Sequence, residues 1–113
     1  MKTILVIDDE PVIRSLAQMS LECEAWHVVP AADARAAMAE IARARPDLIL
    51  LDLGLPGMSG QELAKRLRSE SGTARIPIVY LTGRHPEHYD EADAVITKPF
   101  TPETLRASAS SWL

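Results

Sequence analysis

The chain has 113 residues, 47% of them apolar and 25% charged, with a formal net charge of −4. That length suits one compact domain, residues 1–113, with enough apolar side chains for a core and no room for a second. The acidic balance without a basic run speaks against direct nucleic-acid binding, and no leader or apolar run is long enough for secretion or membrane insertion.

The first strand is expected over Ile4-Leu5-Val6-Ile7, a run apolar at every position. From Pro11, the positions Val12, Leu16, Met19 and Cys23 recur at helical spacing, with Ile13 and Ala17 beside them. Cys23, the single cysteine, cannot form an internal disulfide and is expected in the core on this helix, which suits a reducing cytoplasm. Val28-Val29 is a short strand that touches Pro30, as a sheet edge allows, and Trp26 is expected to pack beside it. Asp33 caps a second helix holding Ala37, Ile41 and Ala42, which stops before Pro46. Leu48-Ile49-Leu50-Leu51 is the third strand. Ser59-Gly60-Gln61-Glu62 reads as a capping box opening a third helix with Leu63 and Leu67 inward, followed by a loop over Ser69–Thr73. Ile78-Val79-Tyr80-Leu81 and Ala94-Val95-Ile96 are the remaining strands. Thr101-Pro102 starts the last helix, whose stripe is Leu105, Ala109 and Trp112. Strand runs apolar throughout, alternating with helices, predict a doubly wound parallel sheet covered on both faces.

Four of these runs end in a residue of useful chemistry: Asp8-Asp9, Asp52, Thr82 and, after Thr97, Lys98. In an open parallel sheet, such strand ends lie along one edge, where ligands bind. Like charges gathered there repel, by roughly 4 kcal/mol for one pair at about 4 Å and an effective dielectric near 20. Lys98 offsets part of this, and a hard divalent cation with oxygen ligands offsets the rest. The pattern reads as a metal-assisted phosphoryl site, with a carboxylate as nucleophile and Lys98 and Thr82 stabilising the transferred group.

Four segments together carry a family resemblance: Val6-Ile7-Asp8-Asp9-Glu10-Pro11, Leu50-Leu51-Asp52-Leu53-Gly54-Leu55-Pro56-Gly57-Met58-Ser59-Gly60, Leu81-Thr82-Gly83 and Thr97-Lys98-Pro99-Phe100. In that order, over nearly the whole chain, they resemble the receiver domains of two-component response regulators. The resemblance implies a flavodoxin-like sheet of five strands in the order 2-1-3-4-5. It implies a phosphoacceptor at Asp52, a direct metal ligand at Asp9, an acid holding a metal-bound water at Asp8, and a ligating backbone carbonyl at Gly54. Thr82 would bond the phosphoryl oxygen, Lys98 would pair with it, and the Lys98-Pro99 bond would be cis. Mg²⁺, or Mn²⁺, is the implied metal. A sensor histidine kinase or histidine phosphotransfer protein is the implied donor, and a downstream protein the implied target. Such a domain is no turnover enzyme, although it catalyses its own phosphorylation and hydrolysis.

Two features depart from the family. The stretch Gly83–Asp93 is short and polar where members carry a fourth helix, so a loop or single turn is expected, with His85 and His88 solvent-exposed. Val95 stands where an aromatic residue is usual, and valine is too stiff at χ1 to swing inward. Output is therefore expected through ordering of Gly83–Asp93, and Arg84 is placed to cover the site. A haloacid-dehalogenase-type phosphatase is the alternative, but Asp8-Asp9-Glu10-Pro11-Val12 fits its motif poorly and a cap insertion is lacking. A flavin module would need a Ser/Thr/Gly-rich phosphate loop after the first strand, and none is present. Met1 reads as a natural start, whereas an end at Leu113 leaves open a longer protein.

Overall fold

The apolar runs become the strands of one parallel sheet in a computed structural model that describes residues 1–84 and 88–113. In chain order the elements are β1 (Lys2–Ile7), α1 (Pro11–Leu21), β2 (Trp26–Ala31), α2 (Ala34–Arg43), β3 (Leu48–Asp52), α3 (Gly60–Ser69), β4 (Ile78–Thr82), β5 (Ala94–Thr97) and α4 (Pro102–Trp112). The sheet order is β2-β1-β3-β4-β5, as the resemblance implies. The register pairs Ile7 with Leu51, Asp52 with Leu81, and Thr82 with Thr97. The ends of β1, β3, β4 and β5 therefore finish side by side.

Alternation along each strand divides the core in two. Leu5, Ile7, Ile49, Leu51, Ile78 and Tyr80 face Leu63 and Leu67 of α3 and Ala37 of α2. Ile4, Val6, Leu50, Val79 and Leu81 face Ala17 and Leu21 of α1 and Leu105 and Ala109 of α4. Each fully buried large aliphatic side chain contributes about 1.5–3 kcal/mol. Three caps form as expected. Asp33 accepts the Ala36 N–H, Ser59 and Glu62 form a reciprocal box, and Thr101 accepts the Thr104 N–H ahead of Pro102.

The first helix turns a different face inward from the one expected. Ala17, Ser20 and Leu21 are buried with Ile13 partly so, whereas Val12 is 74% and Met19 83% exposed. Both stripes are apolar, and small Ala17 sits where α1 packs against the sheet and α4. Cys23 is exposed and lies beyond the helix, which ends at Leu21. Glu22 is already extended, and its carboxylate accepts the Val28 N–H at 3.1 Å, turning the chain into β2. Trp26 opens that edge strand and packs against the core. Trp112, at the end of α4, stays 37% exposed, and Ala42 faces solvent.

Between β4 and β5 the described residues form no helix, only a turn at Asp90-Glu91, and His88 is exposed. The expectation for His85, and the part of the Gly83–Asp93 reading that involves Pro86 and Glu87, lie outside the described residues.

Candidate functional site

Each candidate side chain is delivered by a strand that has run out of apolar residues. Asp8 follows β1 and is fully buried, yet every polar atom of its carboxylate is engaged. Its Oδ1 accepts the Glu10 N–H at 2.9 Å and its Oδ2 accepts Lys98 Nζ at 2.8 Å. The Asp8 carbonyl accepts the Arg14 guanidinium at 2.8 Å, fixing the turn into α1. Asp9, next in sequence, is exposed. Asp52 ends β3 and is 7% exposed. Its Oδ1 accepts the Gly54 N–H at 3.3 Å and Lys98 Nζ at 3.4 Å, and its Oδ2 has no hydrogen-bond partner among the described residues.

Lys98 is the hub. Its ammonium reaches Asp8, Glu10 and Asp52, at 2.8, 3.3 and 3.4 Å. Its backbone is held by its N–H on the Thr82 carbonyl at 2.7 Å, and the Lys98-Pro99 bond is cis, as the resemblance implies. Burial pulls the Lys98 pKa down, but the hydrogen bond and charge of Asp8, with Asp52 and Glu10, outweigh it and hold it above the ordinary value. Asp52 is pushed above the ordinary carboxylate value by burial and by the Asp8 charge, which the Gly54 N–H and Lys98 only partly offset. The ammonium lies closer to Asp8 than to Asp52, which accounts for that imbalance.

Thr82 ends β4 and is nearly buried, but its hydroxyl turns toward its own loop. It donates to the Arg84 carbonyl at 2.7 Å and accepts the Arg84 N–H at 3.2 Å. Asp8, Asp52 and Lys98 are thus in mutual contact, Gly54 touches Asp52 through its N–H, and Thr82 stands at the same edge engaged elsewhere. Two participants were not singled out from the sequence. Glu10 joins Lys98, and its carboxylate oxygen lies within 4.8 Å of one from Asp8 and one from Asp9. Arg14 braces Asp8. The signal for both was local: Glu10 extends the acidic run, and Arg14 follows it by one helical turn.

A buried carboxylate, a bridging ammonium and a cluster of hard oxygen donors at one strand edge have the chemistry that phosphoryl transfer onto a carboxylate needs. Comparison with known proteins agrees. The family model for the response regulator receiver domain matches residues 4–110. The phosphate regulon transcriptional regulatory protein PhoB of Pseudomonas aeruginosa is 44% identical over 112 residues, covering 94% of this chain and 49% of that protein. The probable transcriptional regulatory protein TcrX of Mycobacterium tuberculosis is 38% identical, covering 91% of this chain and 46% of that one. The chain thus spans about half the length of these relatives. Among solved structures, chemotaxis protein CheY4 of Vibrio cholerae superposes with a TM-score of 0.92 at 35% identity, covering 100% of this chain and 99% of that one. Response regulator TrrA of Thermotoga maritima, solved with Mg²⁺ and BeF, gives a TM-score of 0.86 at 32% identity, with 100% of both chains covered.

Proposed function

The chain belongs to the response regulator receiver family, whose members accept phosphoryl groups in two-component signalling, and from there we propose that Asp52 is the acceptor, served by Lys98, Thr82 and the acids at the end of β1. The observation that carries the reading is the Lys98 ammonium set between Asp8 and Asp52, where it can pair with oxygens added to Asp52. Asp52 Oδ2, unbonded among the described residues, is the oxygen that attacks phosphorus, while Gly54 and Lys98 hold Oδ1. Thr82 reaches a phosphoryl oxygen by turning its hydroxyl away from Arg84. Receiver membership replaces the phosphatase and flavin alternatives.

The residues fit a hard divalent metal. Asp8, Asp9 and Glu10 offer clustered carboxylate oxygens, and Lys98 alone does not neutralise them and Asp52. Asp9, Asp8, Asp52 and the Gly54 carbonyl would hold Mg²⁺, or Mn²⁺, which when bound supplies charge to neutralise these acids and the phosphoryl oxygens. The phosphoryl donor is a histidine kinase or histidine phosphotransfer protein, and the output a contact with a downstream protein rather than nucleic acid or membrane. On this reading residues 1–113 act as one receiver domain that turns over nothing but its own phosphoryl group. A cytoplasmic location belongs to the same proposal and suits the unpaired, exposed Cys23.

Incubation with acetyl phosphate and Mg²⁺, followed by intact-mass measurement, tests the assignment. One added phosphoryl group is expected in the parent chain and none in Asp52→Asn. An unmodified parent, or an addition that survives the substitution, refutes it.

A further inference from the structure

Met38 on α2 and Met58 in the loop between β3 and α3 are both partly buried. Each packs against the core layer that contains Leu5, Ile7 and Leu63. Both also line a groove between α2 and that loop, with a volume of about 560 Å³ and open to solvent. The volume lies within the roughly 300–1,000 Å³ that binding clefts span. Pro56 and Gly57 line it too, and neither has a side chain long enough to cover the thioethers.

The rest of the lining is charged, with positive charge in excess. Arg35 stands one turn before Met38 on the same side of α2, and Arg66 of α3 joins it in the groove. Both are exposed. Arg66 has only a loose pair with Glu70 at 3.7 Å, and Arg35 has no ion pair among the described residues. The acid of the lining is Asp33, and its Oδ1 already accepts the Ala36 N–H at the start of α2. Two guanidiniums against one engaged carboxylate make this groove locally cationic, in a chain whose net charge is −4.

We propose that the groove between α2 and the β3–α3 loop docks an acidic segment of a partner protein, which lays one apolar side chain on Met38 and Met58 and sets its carboxylates on Arg35 and Arg66. An apolar floor rimmed by polar groups is the form of a protein-binding patch. Methionine adapts its shape to an incoming apolar group, and the planar guanidinium fork matches a carboxylate. A nucleic-acid backbone would answer the arginines but not the thioethers. The acids gathered at the sheet edge, where this loop begins, also repel a long polyanion that runs past the groove. The docking site is separate from the chemistry of Asp52 and stands whichever residue accepts a phosphoryl group.

The test titrates the isotope-labelled chain with blocked seven-residue peptides, rich in glutamate around a central leucine, methionine or phenylalanine, and follows amide shifts by NMR. Saturable shifts are expected at residues 33–38, 56–58 and 66. Exchange of the central residue for serine, or of the glutamates for lysines, should weaken binding by about 5-fold or more. Arg35→Glu and Arg66→Glu, both at exposed positions that leave the fold intact, should each weaken it by about 5-fold, as reversal of an exposed charge contact does. Arg75→Glu makes the same change of charge at an exposed position outside the groove and should leave affinity as it is. Absent or unlocalised shifts with every peptide overturn the proposal, as does an Arg75→Glu effect equal to that of Arg35→Glu. Tighter binding of a single-stranded oligonucleotide at the same residues also overturns it, in favour of nucleic acid. Shifts there that grow with protein concentration alone overturn it in favour of a second copy of this chain.

Discussion

Gly60 is where packing and chemistry meet most tightly. It opens α3 directly behind Asp52, and a methyl group added there would lie 2.3 Å from the Asp52 carbonyl oxygen and 2.8 Å from Leu53 Cα. Comfortable contacts begin near about 3.5 Å, so the helix or the strand end must retreat by roughly 1 Å. Neither side yields easily. Both of these atoms are backbone, the Gly60 N–H is bonded to the Leu53 carbonyl at 3.2 Å, and the Ser59–Glu62 box fixes the helix start. Overpacking of this kind costs about 1–3 kcal/mol, and rigid partners place it at the upper end. The lower chain entropy of alanine when unfolded returns about 0.4–1 kcal/mol. Gly60→Ala should therefore lose roughly 2 kcal/mol, a fall of about 8 °C or more in melting temperature. A shift of Asp52 by a fraction of this displacement should also slow phosphorylation by acetyl phosphate, by about 10-fold or more. The assay is urea unfolding alongside intact-mass kinetics, with two internal references. At Gly72 an added methyl meets nothing within 4 Å, so Gly72→Ala should stay within about 0.5 kcal/mol of the parent. At Gly57 the space is also open but φ is +74°, so Gly57→Ala should cost about 1–2 kcal/mol through backbone strain alone. If Gly60→Ala proves as stable and as reactive as Gly72→Ala, the close approach of α3 to β3 is not what holds Asp52.

Lys98→Ala should abolish phosphorylation and, by leaving the fully buried Asp8 carboxylate without its cation, cost about 3 kcal/mol in metal-free buffer; a variant of parental stability would remove the ion pair from the account. Asp52→Asn should be more stable than the parent at pH 7 in EDTA. The folded pKa of Asp52 is raised above its ordinary value of 3.8, so its charged form opposes folding above the raised value, and the advantage of asparagine should fade as pH falls from there toward 3.8. Unfolding measured across that range would contradict this if the gap were absent at neutral pH or widened in acid. Arg68→Ala should lose about 2–4 kcal/mol, because it deprives the carbonyls of Ala74, Ile76 and Glu91 and the Asp93 carboxylate of their donor. Amide exchange in that variant should quicken at residues 91–94, and unchanged protection there would show that the clasp holds nothing.

The apolar runs, the three helix caps and the polar residue at each strand end were legible from the sequence because each depends on neighbours a few positions away. Asp33 caps α2 through the Ala36 N–H, and Ser59 pairs with Glu62, whatever the rest of the chain does. The sheet order and the meeting of Asp8, Asp52 and Lys98 were likewise within reach, through the motifs that carried the family resemblance. Three things waited for the tertiary structure. Val12 and Met19 form as good a stripe as Ile13, Ala17 and Leu21, and only the packing of α1 onto the sheet and beside α4 decides which is buried. Glu10 becomes part of the site only because a lysine 88 residues away comes to rest beside it. Tyr80 looks like any strand residue until the packed layers bury its hydroxyl without a partner among the described residues. Local patterns fix which residues form an element and where it stops. Which face is covered, and which charge meets which, depends on contacts between distant parts of the chain, and those free energies exist only once the layers have packed.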